Sequence, residues 1–92
     1  MTDAEAIDAI LDELILALRK WPNWTEDVVH GAAILGEEAG EVLRAALRLT
    51  YEGGSVDDLR REVCQCGAMC LRMLRHLDEM RTKPALYSPE EP

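Results

Sequence analysis

The chain of 92 residues carries 18 acidic and 10 basic side chains, which gives it a net charge of −8. A length below one typical domain predicts a single domain with a small core, so we expect a homodimer or a homotetramer. The acidic surplus argues against DNA or RNA as a partner, because nucleic-acid-binding proteins neutralise phosphates with clustered Lys and Arg.

Neither a membrane span nor a secretory signal is predicted. The longest uncharged stretches fall far short of the roughly 20 apolar residues that cross a bilayer. Residues 1–18 are acidic and lack the basic segment that opens a secretory signal. All three cysteines lie within residues 64–70 and cannot form a disulfide framework for the chain. We therefore expect a cytoplasmic protein with reduced thiols.

Helical periodicity fills the chain, and strand signals are nearly absent. A first amphipathic helix is predicted over about residues 3–20, with apolar residues at three- and four-residue spacing (Ile7, Ile10, Leu11, Leu14, Ile15 and Leu18). Trp21-Pro22-Asn23-Trp24 interrupts it, because the residue before a proline avoids the helical region. Asn23 or Thr25 is then available to cap the next helix.

A second helix is predicted over about residues 26–50, and Gly53-Gly54 ends it. Ser55 followed by Asp58 opens a third helix that reaches about Arg81. The sequence thus predicts an all-α chain of three helices, the last two antiparallel, forming a bundle completed by oligomerisation. Residues 1–82 make up the single domain, and the Pro- and Glu-rich residues 83–92 form a tail.

A cluster of carboxylates is the most informative feature of the second helix. At 100° per residue, Glu38 and Glu41 point within about 60° of each other, and Glu37 lies about 40° beyond Glu41. The residues four positions after these glutamates include no Lys or Arg to offset their repulsion. A solvated acidic face is one interpretation, and a divalent cation such as Mg²⁺, which prefers carboxylate oxygens, is the other.

Two glycines in the same helix favour the site interpretation. Gly36 and Gly40 each cost about 1 kcal/mol relative to Ala inside a helix. A glycine also allows another backbone or a ligand to approach closely. Glycines beside a carboxylate cluster fit a site better than an ordinary surface.

Glu37-Glu38-x-x-Glu41, followed by Glu62 in the third helix, resembles the EExxE…ExxD signature of the MazG-like all-α nucleoside triphosphate pyrophosphohydrolases. The resemblance covers about residues 21–77. It implies that carboxylates of two antiparallel helices hold Mg²⁺, or Mn²⁺ in its place. Water then attacks the α-phosphorus of an NTP or dNTP, and the products are the nucleoside monophosphate and pyrophosphate.

Carried over by position, the resemblance implies that Glu38, Glu41 and Glu62 are metal ligands. Glu37 is a further ligand or acts with Glu38 in catalysis, by orienting and deprotonating the water. Gln65 stands where the motif has Asp, and its amide oxygen can ligate Mg²⁺ but brings no charge. Asp58, one turn before Glu62, is a possible substitute.

Further side chains are candidates for binding the substrate. Trp21 and Trp24 either stack on a nucleobase or close one end of the helical core. His30 is either a substrate contact or an ordinary surface histidine. Arginines pair bidentately with phosphate, and Arg72 is the preferred candidate among four (Arg44, Arg48, Arg72 and Arg75). The cysteines are expected to be small core residues, with a zinc ion on Cys66 and Cys70 as the minor alternative.

Three functions follow from this sequence. The leading one is a Mg²⁺-dependent nucleotide pyrophosphohydrolase with a house-cleaning role in the nucleotide pool. The second is a degenerate member of the family that binds nucleotide or metal without turnover, an interpretation that rests on Gln65. The third is a helical interaction module whose acidic face meets a basic partner.

Overall fold

Three long helices make up the fold. The computed structural model of the chain describes residues 1–82, so the predicted tail at residues 83–92 lies outside the described residues. Helix α1 spans Asp3–Lys20, α2 spans Val28–Tyr51 and α3 spans Val56–His76, and a short 3₁₀ turn, Leu77–Glu79, follows α3. The predicted all-α class is confirmed, and the described residues contain no strand beyond one isolated bridge.

Each helix begins at a side-chain cap. Thr2 caps α1 and forms a reciprocal capping box with Glu5. Ser55 caps α3, as predicted, by accepting a hydrogen bond from the Asp58 backbone N–H at 3.0 Å. For α2 the predicted caps are wrong, because the cap is Asp27, whose carboxylate accepts hydrogen bonds from two backbone N–H groups of the first turn. The helix therefore begins two residues later than predicted, at Val28.

The end of the third helix also differs from the prediction. The α-helix ends at His76, and Met80 is already extended. Arg81 instead forms a parallel bridge with Asp27, with its N–H donating to the Glu26 carbonyl at 2.6 Å. These contacts hold the chain after α3 against the start of α2. A continued α3 helix could not make them.

Helix α3 is the central element, because both α1 and α2 make their main contacts with it. Gly31 near the start of α2 faces Met73 near the end of α3, whereas Glu41 and Glu62 line one cavity. Helices α2 and α3 are therefore antiparallel, as predicted. Gly67 of α3 lies against Ile10 of α1.

The core of a single copy is thin. Leu14, Ala45 and Ala68 are its buried apolar residues, and no large side chain among residues 1–82 is fully buried. Many large apolar side chains are exposed on all three helices. No helix among the described residues is long and apolar enough to cross a membrane.

Candidate functional site

Three of the four motif glutamates, Glu38, Glu41 and Glu62, line cavities beside α2 and α3, whereas Glu37 is exposed and lines neither cavity. A cavity of about 200 Å³ opens between the second half of α2 and the start of α3. We call it the polar cleft; its lining residues are Glu41, Arg44, Ala45, Arg48, Gly54, Ser55, Asp58, Arg61 and Glu62. The structure thus brings together Glu41 and Glu62, which are 21 positions apart in the sequence.

A second, larger groove of about 540 Å³ involves all three helices. We call it the three-helix groove; it is lined by Glu13, Leu16, Ala17, Lys20, Trp21, Glu38, Arg61, Gln65, Ala68 and Met69. Glu38 and Gln65 therefore share this groove with Trp21, which is 64% exposed. Arg61 lines both cavities, so the two adjoin at this side chain.

Glu38 is affected electrostatically by the other three motif glutamates. Burial, and then the neighbouring carboxylates of Glu62, Glu41 and Glu37, raise the pKa of Glu38 above its ordinary value. None of the four forms an ion pair within the described part of the chain. Glu38 thus lies among like charges whose repulsion no direct salt bridge relieves.

The pKa of Glu38 leads to a prediction about stability. The folded protein binds this proton more tightly than the unfolded chain, so ionising Glu38 costs stability once the pH exceeds its ordinary pKa. Glu38→Gln should therefore raise the free energy of unfolding by about 0.5 kcal/mol at about pH 7, and the gain should vanish near about pH 3.5. Urea unfolding at the two pH values measures this. A gain that persists at low pH would show that the cause is not charge.

Arginines lie beside the carboxylates in the polar cleft. Arg44 and Arg48 come from α2, and Arg61 comes from α3. Sequence reasoning missed Arg61, although its position three residues after Asp58 and four before Gln65 puts it on the same side of α3. Its guanidinium lies 3.5 Å from the Asp58 carboxylate, and both side chains are exposed, so this pair contributes little stability.

Arg72, the preferred phosphate ligand from sequence, has a different environment. It is 3% exposed, and its Nη2 donates to the backbone carbonyls of Trp21 at 2.7 Å and Asn23 at 3.1 Å. Its guanidinium also lies 5.1 Å from the centre of the Trp24 ring. A guanidinium so enclosed is not accessible to a phosphate. The expectation of a substrate contact at Arg72 is therefore replaced by a structural role.

Of the other residues predicted to contact the substrate, one lines the three-helix groove and two do not. Trp21 lines the three-helix groove, with the Lys20 Nζ 5.8 Å from the centre of its ring. Trp24 is half-buried under Arg72, which agrees with the alternative that it closes one end of the core. His30 is exposed and pairs through Nδ1 with the Thr25 hydroxyl at 2.9 Å, and it lines neither cavity.

The oxygen atoms of the candidate ligands are of the kind that a hard cation such as Mg²⁺ prefers, but their arrangement in the structure fits a cation less well. Carboxylate oxygens and one amide oxygen are ligands that Mg²⁺ prefers. Among residues 1–82, however, no three His, Cys, Asp or Glu side chains are arranged so that they could hold a metal ion. Glu37 and Glu41 are exposed, and Glu38 lines a different cavity from Glu41 and Glu62.

The cysteines are free thiols. Burial, and then the neighbouring Cys70, raises the pKa of the Cys66 thiol. A raised pKa keeps this sulfur protonated, and thiolate is the form that binds metals and attacks substrates. Cys64 and Cys66 are half-buried, which suits the expected packing role, whereas Cys70 is exposed.

Comparisons with protein-family models, curated proteins and solved structures give no significant match for this chain.

Proposed function

We propose that this protein is a Mg²⁺-dependent nucleotide pyrophosphohydrolase that converts an NTP or dNTP to the monophosphate and pyrophosphate. The observation that carries the proposal is the composition of the polar cleft, in which the motif carboxylates Glu41 and Glu62 lie beside three arginines. Carboxylates alone would suit any divalent cation. Carboxylates beside guanidinium groups suit a cation that carries phosphates.

Each group has a defined task in this proposal. Arg44, Arg48 and Arg61 bind and orient the phosphate chain. Glu38, with its raised pKa, and Glu37 are the candidates for accepting the proton of the attacking water. Glu38, Glu41 and Glu62, with Gln65 beside them, would hold Mg²⁺, which would supply charge stabilisation and lower the pKa of a bound water.

The exposed ring of Trp21 supports a nucleotide rather than free polyphosphate as the substrate. It lies in the groove that Glu38 and Gln65 also line, so a nucleobase stacked on it would remain near the motif residues. Stacking is tolerant of base identity, because every base has a π-face. Trp21 therefore binds the base without selecting among bases.

The test is pyrophosphate release from a panel of NTPs and dNTPs with Mg²⁺ or Mn²⁺, combined with calorimetric binding of the same nucleotides. Metal-dependent release that stops on adding a chelator supports the enzyme. Binding without release instead supports the degenerate member of the family, which Gln65 motivates. Neither binding nor release contradicts both and leaves the helical interaction module.

Gln65 allows a second test. Gln65→Asp adds a negative charge in the groove that contains Glu38, so we expect Mg²⁺ affinity to rise by about tenfold. Calorimetric titration with Mg²⁺ alone measures this independently of turnover. The matched control is Gln65→Asn, which has the size of the Asp variant without its charge and should bind Mg²⁺ more weakly than that variant. Equal affinity of the two variants would place position 65 outside the metal site.

A further inference from the structure

Helix α1 contributes a half-buried carboxylate to the three-helix groove. Glu13 lines this groove together with Glu38 of α2 and Gln65 of α3, so each of the three helices supplies one oxygen-bearing side chain. Glu13 forms no ion pair within residues 1–82. Helix α1 lies outside the residues that carry the motif resemblance, and the proposed mechanism gives Glu13 no task. Its carboxylate oxygens can therefore accept hydrogen bonds from a ligand in the groove.

The position of Glu13 along the groove follows from the packing of α1 on α3. Ile10 of α1 lies against Gly67, and the carbonyl of Trp21, just after α1, accepts a hydrogen bond from Arg72. The two helices therefore run parallel. Because Glu13 comes about one turn after Ile10 and about two turns before Trp21, it lies between these two contacts.

The groove thus presents three kinds of side chain in a defined order. Arg61 lies six positions before Gly67 on α3, at the end where the groove adjoins the polar cleft, and Trp21 lies at the other end. Glu13 lies between them. A nucleotide has the order phosphate, sugar, base, so one with its phosphates at Arg61 and its base on Trp21 has its sugar beside Glu13. The groove volume of about 540 Å³ is within the range of about 300–1,000 Å³ found for small-molecule sites.

Sugar hydroxyl groups match the chemistry of a carboxylate. An ionised carboxylate only accepts hydrogen bonds, and its two oxygens can accept from two donors. A ribose carries adjacent hydroxyls at its 2′ and 3′ positions, whereas a 2′-deoxyribose lacks the first of them. A half-buried acceptor that loses its donor is left unsatisfied, so such a site discriminates against the analogue without the hydroxyl.

We propose that Glu13 accepts hydrogen bonds from the 2′ and 3′ hydroxyls of the substrate ribose, and so makes the protein selective for ribonucleoside over deoxyribonucleoside triphosphates. This role rests on the proposed function, since a nucleotide is what brings a sugar into the groove. The tasks proposed for the motif residues and for Trp21 concern the metal, the phosphates and the base. Glu13 adds the contact with the sugar.

Pyrophosphate release from ribo- and deoxyribonucleotides of the same base tests this role. For wild type, kcat/KM for the ribonucleotide should exceed that for the deoxyribonucleotide by at least about tenfold. Glu13→Ala removes the acceptor and should bring this ratio to within about twofold of one. The matched control is Asp12→Ala, which removes a carboxylate from the neighbouring, exposed position of α1 outside both cavities and should keep the wild-type ratio.

The ratio separates a sugar contact from other effects of the substitution. A folding defect, or a Glu13 that acts only on the metal, would lower kcat/KM for both sugars alike and leave the ratio unchanged. If nucleotides bind without release, the ratio of dissociation constants from calorimetry takes the place of kcat/KM.

Two failures can be told apart in this experiment. A wild-type ratio of one or below, or an unchanged ratio in Glu13→Ala, would overturn the sugar contact and leave the proposed function intact. Absence of both binding and release for every nucleotide would overturn the proposed function, and the sugar contact with it.

Discussion

Arg72→Met is expected to lower the free energy of unfolding by about 3 kcal/mol. The guanidinium donates two hydrogen bonds to backbone carbonyls, of Trp21 and Asn23. Hydrogen bonds from a charged donor contribute about 1.5–3 kcal/mol, and stacking on an aromatic ring adds about 0.5–2 kcal/mol. Methionine fills much of the same volume, so the loss reports the polar contacts rather than a cavity.

Urea unfolding of the variant measures this loss. Arg75→Met, three residues further along α3 at an exposed position, is the matched control and should change stability by less than about 0.5 kcal/mol. Arg72→Lys keeps the positive charge but loses the guanidinium whose Nη2 donates to both carbonyls and which lies over the Trp24 ring, so its stability should lie between wild type and Arg72→Met. A loss below about 1 kcal/mol for Arg72→Met would mean that the connection between α1 and α2 is held by other contacts.

Glu38→Gln is expected to lower the rate of pyrophosphate release by about 100-fold or more, because it removes both a proposed charged metal ligand and a candidate base. The same substitution should not weaken the fold, since it relieves repulsion from Glu62, Glu41 and Glu37. Lost activity together with retained or increased stability is expected when the charges of a functional site lower the stability of the fold.

Steady-state release of pyrophosphate under saturating Mg²⁺ checks this expectation, with unfolding measured on the same preparation. Glu52→Gln removes one charge from the exposed end of α2, outside both cavities, and should leave the rate within about twofold of wild type. Activity of Glu38→Gln within a few-fold of wild type would remove Glu38 from the reacting centre.

The helices were predictable because their signals are local. Apolar spacing and the proline at position 22 define α1 at Asp3–Lys20 without any knowledge of its neighbours. The prediction errors arise where contacts between residues far apart in the sequence determine the local structure. Asp27 caps α2, and Arg81 leaves the helical path to pair with Asp27, a contact between residues more than 50 positions apart.

The grouping of the candidate site residues, although not their function, was predictable to a similar degree. Spacing within one helix groups Glu37, Glu38 and Glu41, and the antiparallel hairpin then adds Glu62. The roles of the arginines could not be assigned without knowing how the helices pack. The sequence favoured Arg72, which lies inside the fold, and missed Arg61, which lines both cavities. Helical periodicity specifies which side of a helix a residue occupies, but not which element covers that side.

The short connection between α1 and α2 is held in place mainly by residues from later in the chain. Arg72 holds its carbonyls from 49 to 51 residues away, and Arg81 holds its far end. Closing loops of that length costs more entropy than forming the hairpin of α2 and α3, whose turn spans a few residues. We therefore expect the hairpin to organise before α1 takes its final orientation, because the contacts that fix the connection to α1 need the last turn of α3.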